Sequence, residues 1–122
     1  MSKPQKVGTI DKKIISALGL QIPANTPVFL GASNIAHMQA KHAADYANYG
    51  TDIPQILANP DYIGINRKDN SIEYVKEYRI NNEFVKVAVR VTGNSRYFVR
   101  SIYVLNKSRV QNFINKGTLI KL

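Results

Sequence analysis

"SIEYVKEYRINNEFVKVAVRVTGNSRYFVRSIYVL" (residues 71–105) decides the fold. Ile, Val, Tyr and Phe alternate there with charged residues, in runs broken by Asn81-Asn82 and by the tetrapeptide Thr92–Ser95. Side chains of a strand point alternately to opposite faces, so these runs predict an antiparallel meander. Asparagine tolerates positive φ, which makes Asn81-Asn82 a two-residue hairpin turn. "YIGIN" (residues 62–66) adds a strand before it.

That turn pairs Ile80 with Glu83, Tyr78 with Val85, Lys76 with Val87 and Tyr74 with Val89. One face then collects Ile72, Tyr74, Tyr78, Val85, Val87, Val89 and Val91 as core. The other collects Glu73, Glu77, Arg79, Phe84, Lys86 and Arg90. A four-residue "TGNS" loop pairs Phe98 with Val89 and Ser101 with Lys86. Phe98, Ile102 and Val104 then join the core, and Tyr97, Ser101 and Tyr103 join the open face. A three- or five-residue loop would reverse the last strand. Arg100 is left near the core face, snorkelling at an edge or paired. Hydroxyls, phenols and cations on one face suit phosphates and stacked bases. They equally suit an ordinary wet sheet face.

Upstream the period is helical. Asp11 and Gly19 bracket a short helix over residues 11–18. "VFLGAS" (28–33) begins as a strand, and Ser33 or Asn34 caps a helix over 35–48 that Gly50 ends. "IPQILA" (53–58) is a helix stopped before Pro60. "SRVQNFINKG" (108–117) is a last short helix. The expected architecture is α+β, with N-terminal helices packed on a C-terminal antiparallel β-meander, in one domain over residues 1–122.

Composition narrows the chemistry. The chain has 122 residues and no cysteine, which excludes disulfides, thiolate catalysis and cysteine-zinc sites. No apolar run approaches the roughly 18 residues of a membrane span. "MSKPQKVGTI" (1–10) lacks a signal-peptide core, so a cytoplasmic location is expected. The formal net charge is +9. Residues 1–83 hold nine Lys/Arg against eight Asp/Glu, whereas residues 84–122 hold eight Lys/Arg and no acid. So lopsided a field attracts polyanions, nucleic acid first among them.

The only two histidines fall in "HMQAKHAADY" (37–46). On a continuous helix His37, Lys41 and Asp45 form one stripe within about 80°, with His42 about 60° from Asp45. Imidazole exchanges protons near neutral pH, and a lysine one turn away neutralises charge developing on phosphorus. Together they suit attack by an RNA 2′-hydroxyl on its own phosphodiester, a reaction needing a base, an acid and cations but no metal. The histidine spacing is not the i, i+4 pair of a zinc helix, and no metal or other cofactor is expected. The bland alternative is a surface helix with a Lys41–Asp45 pair.

The order "VFLGASNIAHMQAKHAADY" (28–46), "DIPQILANPDYIGI" (52–65), "VKVAVRV" (85–91) and "YFVRSIYVL" (97–105) resembles the phage-encoded nuclease-like domains of the barnase–EndoU–colicin–RelE (BECR) group. The shared features are a strand, a helix with His-x₃-Lys/Arg-His, and a meander ending in Thr/Ser-x-Tyr. The resemblance implies a central antiparallel sheet and metal-independent RNA cleavage leaving a 2′,3′-cyclic phosphate. It also implies a toxin-like action on tRNA or other RNA of a bacterial or phage-infected cell. His37, Lys41 and His42 match the helix motif; Ser101 and Tyr103 match the strand motif, with serine where threonine is frequent. These five are the candidate catalytic residues. Lys86, Arg90, Tyr97 and Arg100 are the candidate substrate contacts. An acidic immunity protein or antitoxin is the protein partner such an activity implies, and delivery from another cell is expected if the domain is cut from a larger toxin. The alternatives are a nucleic-acid-binding phage accessory protein without turnover and a basic protein–protein module.

Overall fold

The computed structural model describes residues 3–122. In chain order the elements are β1 (Gln5–Ile10), α1 (Lys12–Leu18), β2 (Thr26–Leu30), α2 (Ala32–Lys41), α3 (Ala43–Tyr49), a 3₁₀ turn (Gly50–Asp52), α4 (Ile53–Ala58), β3 (Tyr62–Ile65), β4 (Ile72–Tyr78), β5 (Glu83–Val91), β6 (Tyr97–Leu105), α5 (Lys107–Asn115) and β7 (Leu119–Lys121). The class is α+β, but the expected division into N-terminal helices and a C-terminal meander is wrong. Helices and strands are interspersed, and the sheet has seven strands in the order β1-β2-β6-β5-β4-β3-β7. The meander β3 to β6 forms its centre. β1 and β2 extend one side, through a parallel pairing of β2 with β6 at Val28–Tyr97 and Phe29–Phe98. β7 closes the other side by pairing antiparallel with β3.

Local chemistry accounts for the helix ends. Asp11 accepts from the Ile14 N–H at 3.0 Å to start α1, and Gly19 ends it at φ 67°. α2 is capped from within: the Gly31 N–H donates to Asn34 Oδ1 at 2.8 Å. Asn106 opens α5 by accepting from the Arg109 N–H. No helix among the described residues is long and apolar enough to cross a membrane.

One face of the sheet is wholly covered. Ile72, Tyr74, Val85, Val87, Val89 and Ile102 pack there against Ile14 of α1, Met38 of α2, Tyr49 of α3 and Ile53, Ile56 and Leu57 of α4. The other face is covered at one end only, where Val75, Phe84 and Leu105 meet Val110 of α5 and Leu119 of β7. Phe84, expected on an open face, is therefore buried.

The strand registers differ from expectation in a way that preserves most of the faces. The β4–β5 turn spans residues 79–82, with Tyr78 opposite Glu83, so the pairing is displaced by two residues and no side chain changes side. The β5–β6 loop is five residues long, with Val91 opposite Tyr97. Alone this would invert β6. A bulge then restores the parity: Val89 faces Val99 and Ala88 faces Ser101, which leaves Arg100 as the extra residue. Ser101, Tyr103, Ile102 and Val104 thus lie on the expected sides. Tyr97 and Phe98, on the far side of the bulge, exchange faces. Tyr97 packs against the main core, and Phe98 pairs with Arg90 on the opposite face.

Candidate active site

The second face of the sheet is built in rows. In one row Gly64, Glu73, Ala88 and Ser101 lie side by side across β3, β4, β5 and β6. In the next, Val75, Lys86 and Tyr103 do the same. All four residues of the first row are buried, Ser101 with 7 % exposure.

Past Phe98, β6 has no strand on its outer side, and α2 and α3 run along it. Met38 anchors α2 by its fully buried side chain, a contribution of about 1.5–3 kcal/mol. Asp45 Oδ2 accepts from the Val104 N–H at 3.2 Å and so occupies a donor on that free edge. The expected continuous helix over 35–48 is two helices, broken at His42 (φ −140°, ψ 53°). The break lets Met38 and Tyr49 enter the core while Asp45 meets the strand, so tertiary contacts override helix propensity. Asp45 is thereby a structural group on β6, not part of one stripe with His37 and Lys41.

At the break the His42 ring meets Tyr103 edge-on, with ring centroids 4.2 Å apart and an interplanar angle of 67°. Lys86 Nζ lies 5.0 Å from the centre of the same Tyr103 ring and 5.8 Å from that of Phe113. Its ammonium donates to Glu73 Oε2 at 3.1 Å. The Lys86 side chain is 14 % exposed and that of Glu73 8 %, so this is an enclosed pair rather than a surface one. His42, Tyr103, Lys86 and Glu73 are thus connected from α2 to β4. Glu73 is the residue that the sequence reading left out of the site. In the true register it is the diagonal neighbour of Lys86, whereas the expected register set Glu77 opposite Lys86.

His37 and Lys41 are exposed on α2. At 100° per residue Lys41 falls within about 20° of Asn34, and His37 within about 60°. The three residues share one side of the helix. Asn34 shows where that side looks: with Arg90, Phe98 and Arg100 it lines a cavity of about 650 Å³ at the open end of the sheet. His42 touches the last long strand, through Tyr103.

Two of the four expected substrate contacts, Arg90 and Arg100, line that cavity. Lys86 does not line it and is held in its ion pair with Glu73. Tyr97 is removed from the site by the bulge. Asp69 is an acid near these arginines; hydrogen bonds from the Ser71 hydroxyl and backbone N–H hold its carboxyl below the usual range, and Arg90 and Arg100 add to this. Arg96 lies over two aromatic rings, with its guanidinium 4.4 Å from the ring centre of Phe29 and 5.5 Å from that of Phe98.

An imidazole at a helix break against a phenol, with an ammonium beside them and guanidinium groups on the same sheet face, can exchange protons with an anionic substrate and stabilise its charge. Residues 5–112 match the model of a family described as phage-Barnase-EndoU-ColicinE5/D-RelE like nuclease3. No curated protein and no solved structure matches the chain.

Proposed function

The chain belongs to the phage-Barnase-EndoU-ColicinE5/D-RelE like nuclease3 family, and from that premise we propose that it is a metal-independent endoribonuclease acting on tRNA or other RNA. The observation that carries this reading is the contact of His42 with Tyr103 beside the Lys86 ammonium.

The chemistry follows from the groups in reach. His42 takes the proton from a ribose 2′-hydroxyl. The 2′-oxygen attacks the adjacent phosphorus, and the bond from phosphorus to the 5′-oxygen of the next nucleotide breaks. Tyr103 delivers a proton to that leaving oxygen and is reprotonated from solvent. The products are a 2′,3′-cyclic phosphate and a free 5′-hydroxyl. Lys41, exposed next to His42, neutralises the pentacoordinate phosphorus. Lys86 and Glu73 position the Tyr103 ring from behind. Ser101 supplies a hydroxyl beside Tyr103 on β6, and His37 contacts substrate farther along α2. Arg90 and Arg100 hold the backbone as point charges and forks. The setting we assign is the cytoplasm of a bacterial or phage-infected cell. There an acidic immunity protein or antitoxin would complement the basic open face.

The test is incubation of the purified chain with total RNA in EDTA, followed by analysis of the fragment ends. Cyclic phosphate and 5′-hydroxyl ends support the proposal. RNA left intact but shifted in mobility favours a binding protein without turnover.

A further inference from the structure

We propose that the cavity lined by Arg90, Phe98 and Arg100 is a subsite for one unpaired nucleotide flanking the cleaved phosphodiester, so that the substrate is single-stranded RNA. This rests on the ribonuclease reading for its place in the reaction, but not for the binding itself.

Position is the first argument. Arg90 lies on the same face of β5 as Lys86 and Ala88, one strand repeat of about 7 Å beyond Ala88. Arg100 is the bulged residue immediately before Ser101. Both guanidiniums therefore stand next to the row of Ala88 and Ser101 and line one cavity. The bulge is what brings this about: without the extra residue, Arg100 would take a regular place in the alternation of the strand.

Shape and chemistry are the second. The cavity, about 650 Å³, is within the range of small-ligand sites and open to solvent on one side. Phe98, half-buried and braced by Arg96, presents an aromatic wall, and Asn34 and Thr92 supply polar groups for a base edge. Asn34 Oδ1 is engaged by the Gly31 N–H, which fixes the amide and aims its NH₂ donors elsewhere. An aromatic wall, a hydrogen-bonding edge and paired cations recognise a base with its phosphate better than a phosphate alone. A base in a duplex is stacked and paired and cannot enter; one in a loop can.

The test is calorimetric titration of the full chain with adenosine and guanosine 5′-monophosphates, ribose 5-phosphate and inorganic phosphate. The expected result is that at least one nucleotide binds tenfold or more tightly than ribose 5-phosphate. Phe98→Leu and Arg100→Ser should each weaken it about tenfold, and Lys116→Ser, at an exposed lysine that does not line the cavity, should leave it unchanged. Phe98→Leu keeps an apolar side chain, and the exposure of Arg100 protects the fold of the second variant. Nucleotides binding no tighter than ribose 5-phosphate, or indifferent to both variants, overturn the subsite. A chain that cleaves RNA yet ignores free nucleotides loses this proposal and keeps the ribonuclease reading. A chain that binds nucleotides and cleaves nothing does the reverse.

Discussion

His42 touches Tyr103 edge-on at 4.2 Å between ring centroids, and this contact joins a break between two helices to the free side of β6. The ring and the hydroxyl of Tyr103 have separable jobs. Tyr103→Phe keeps the surface against which His42 rests and removes the proton donor; RNA cleavage should fall by about 10²-fold, as for loss of an acid catalyst. Tyr103→Leu also removes the ring and should fall further. Ser101→Ala, at a largely buried hydroxyl, should cost less than either. Single-turnover cleavage rates of the three variants check the order.

Lys41 is exposed and makes no side-chain hydrogen bond or ion pair among the described residues, so Lys41→Ala should retain wild-type thermal stability. Its cleavage rate should nevertheless drop about 10²–10³-fold. Equal rates for variant and wild type would remove Lys41 from the chemistry.

The Glu73–Lys86 pair predicts a stability effect distinct from the kinetic ones. Removing one partner strands the other charge in a mostly enclosed place. Glu73→Ala should therefore destabilise the chain by about 2–4 kcal/mol in urea unfolding, at or just below the range for fully buried pairs. Glu73→Ala combined with Lys86→Met should recover part of that loss, and a double-mutant cycle measures the coupling.

Gly64 marks a close approach on β3. A Cβ there would run into the carbonyl oxygen of Thr118, just before β7 pairs with β3. Gly64→Ala should force the strands apart and cost about 1–3 kcal/mol, seen as a lower unfolding midpoint.

Three of the seven tyrosines resist ionisation. Burial pushes the phenol of Tyr74 up; burial and then the hydrogen bond to Asp52 do so for Tyr78; burial and then the bond to Glu83 do so for Tyr49. A raised folded-state pKa means stability fully present below the ordinary value near 10 and lost as pH rises beyond it. Ionisation of these three should therefore coincide with alkaline unfolding, read as a joint change in tyrosinate absorbance and circular dichroism. Tyr74 also buries a hydroxyl without a hydrogen-bond partner among the described residues. Tyr74→Phe should accordingly stabilise the chain by about 1 kcal/mol and shrink the absorbance change that accompanies unfolding.

Much of the meander was legible because alternation is local. α1, α4 and α5 were legible from Asp11, Gly19, Pro54, Pro60 and Gly117. The registers were not. A turn two residues longer than Asn81-Asn82 preserved the faces but hid the Glu73–Lys86 diagonal. The β6 faces came out right at Ser101 and Tyr103 because a longer loop and a bulge compensate, and Tyr97 and Phe98 between them were misplaced. β1 was missed because its few residues carry a pairing irregularity between Lys6 and Gly8. The parallel contact of β2 with β6 has no local signature at all, being a pairing of segments about 70 residues apart. Nor does "KHAAD" contain a proline or glycine to announce the break at His42.

The most direct measurement is single-turnover RNA cleavage in EDTA by the wild-type chain and by His42→Ala, with circular dichroism confirming that both are folded. The predicted result is cleavage by the wild type, unaffected by chelation, and a loss of at least 10²-fold in the variant. A folded His42→Ala chain that cleaves at the wild-type rate would contradict the assignment of the site.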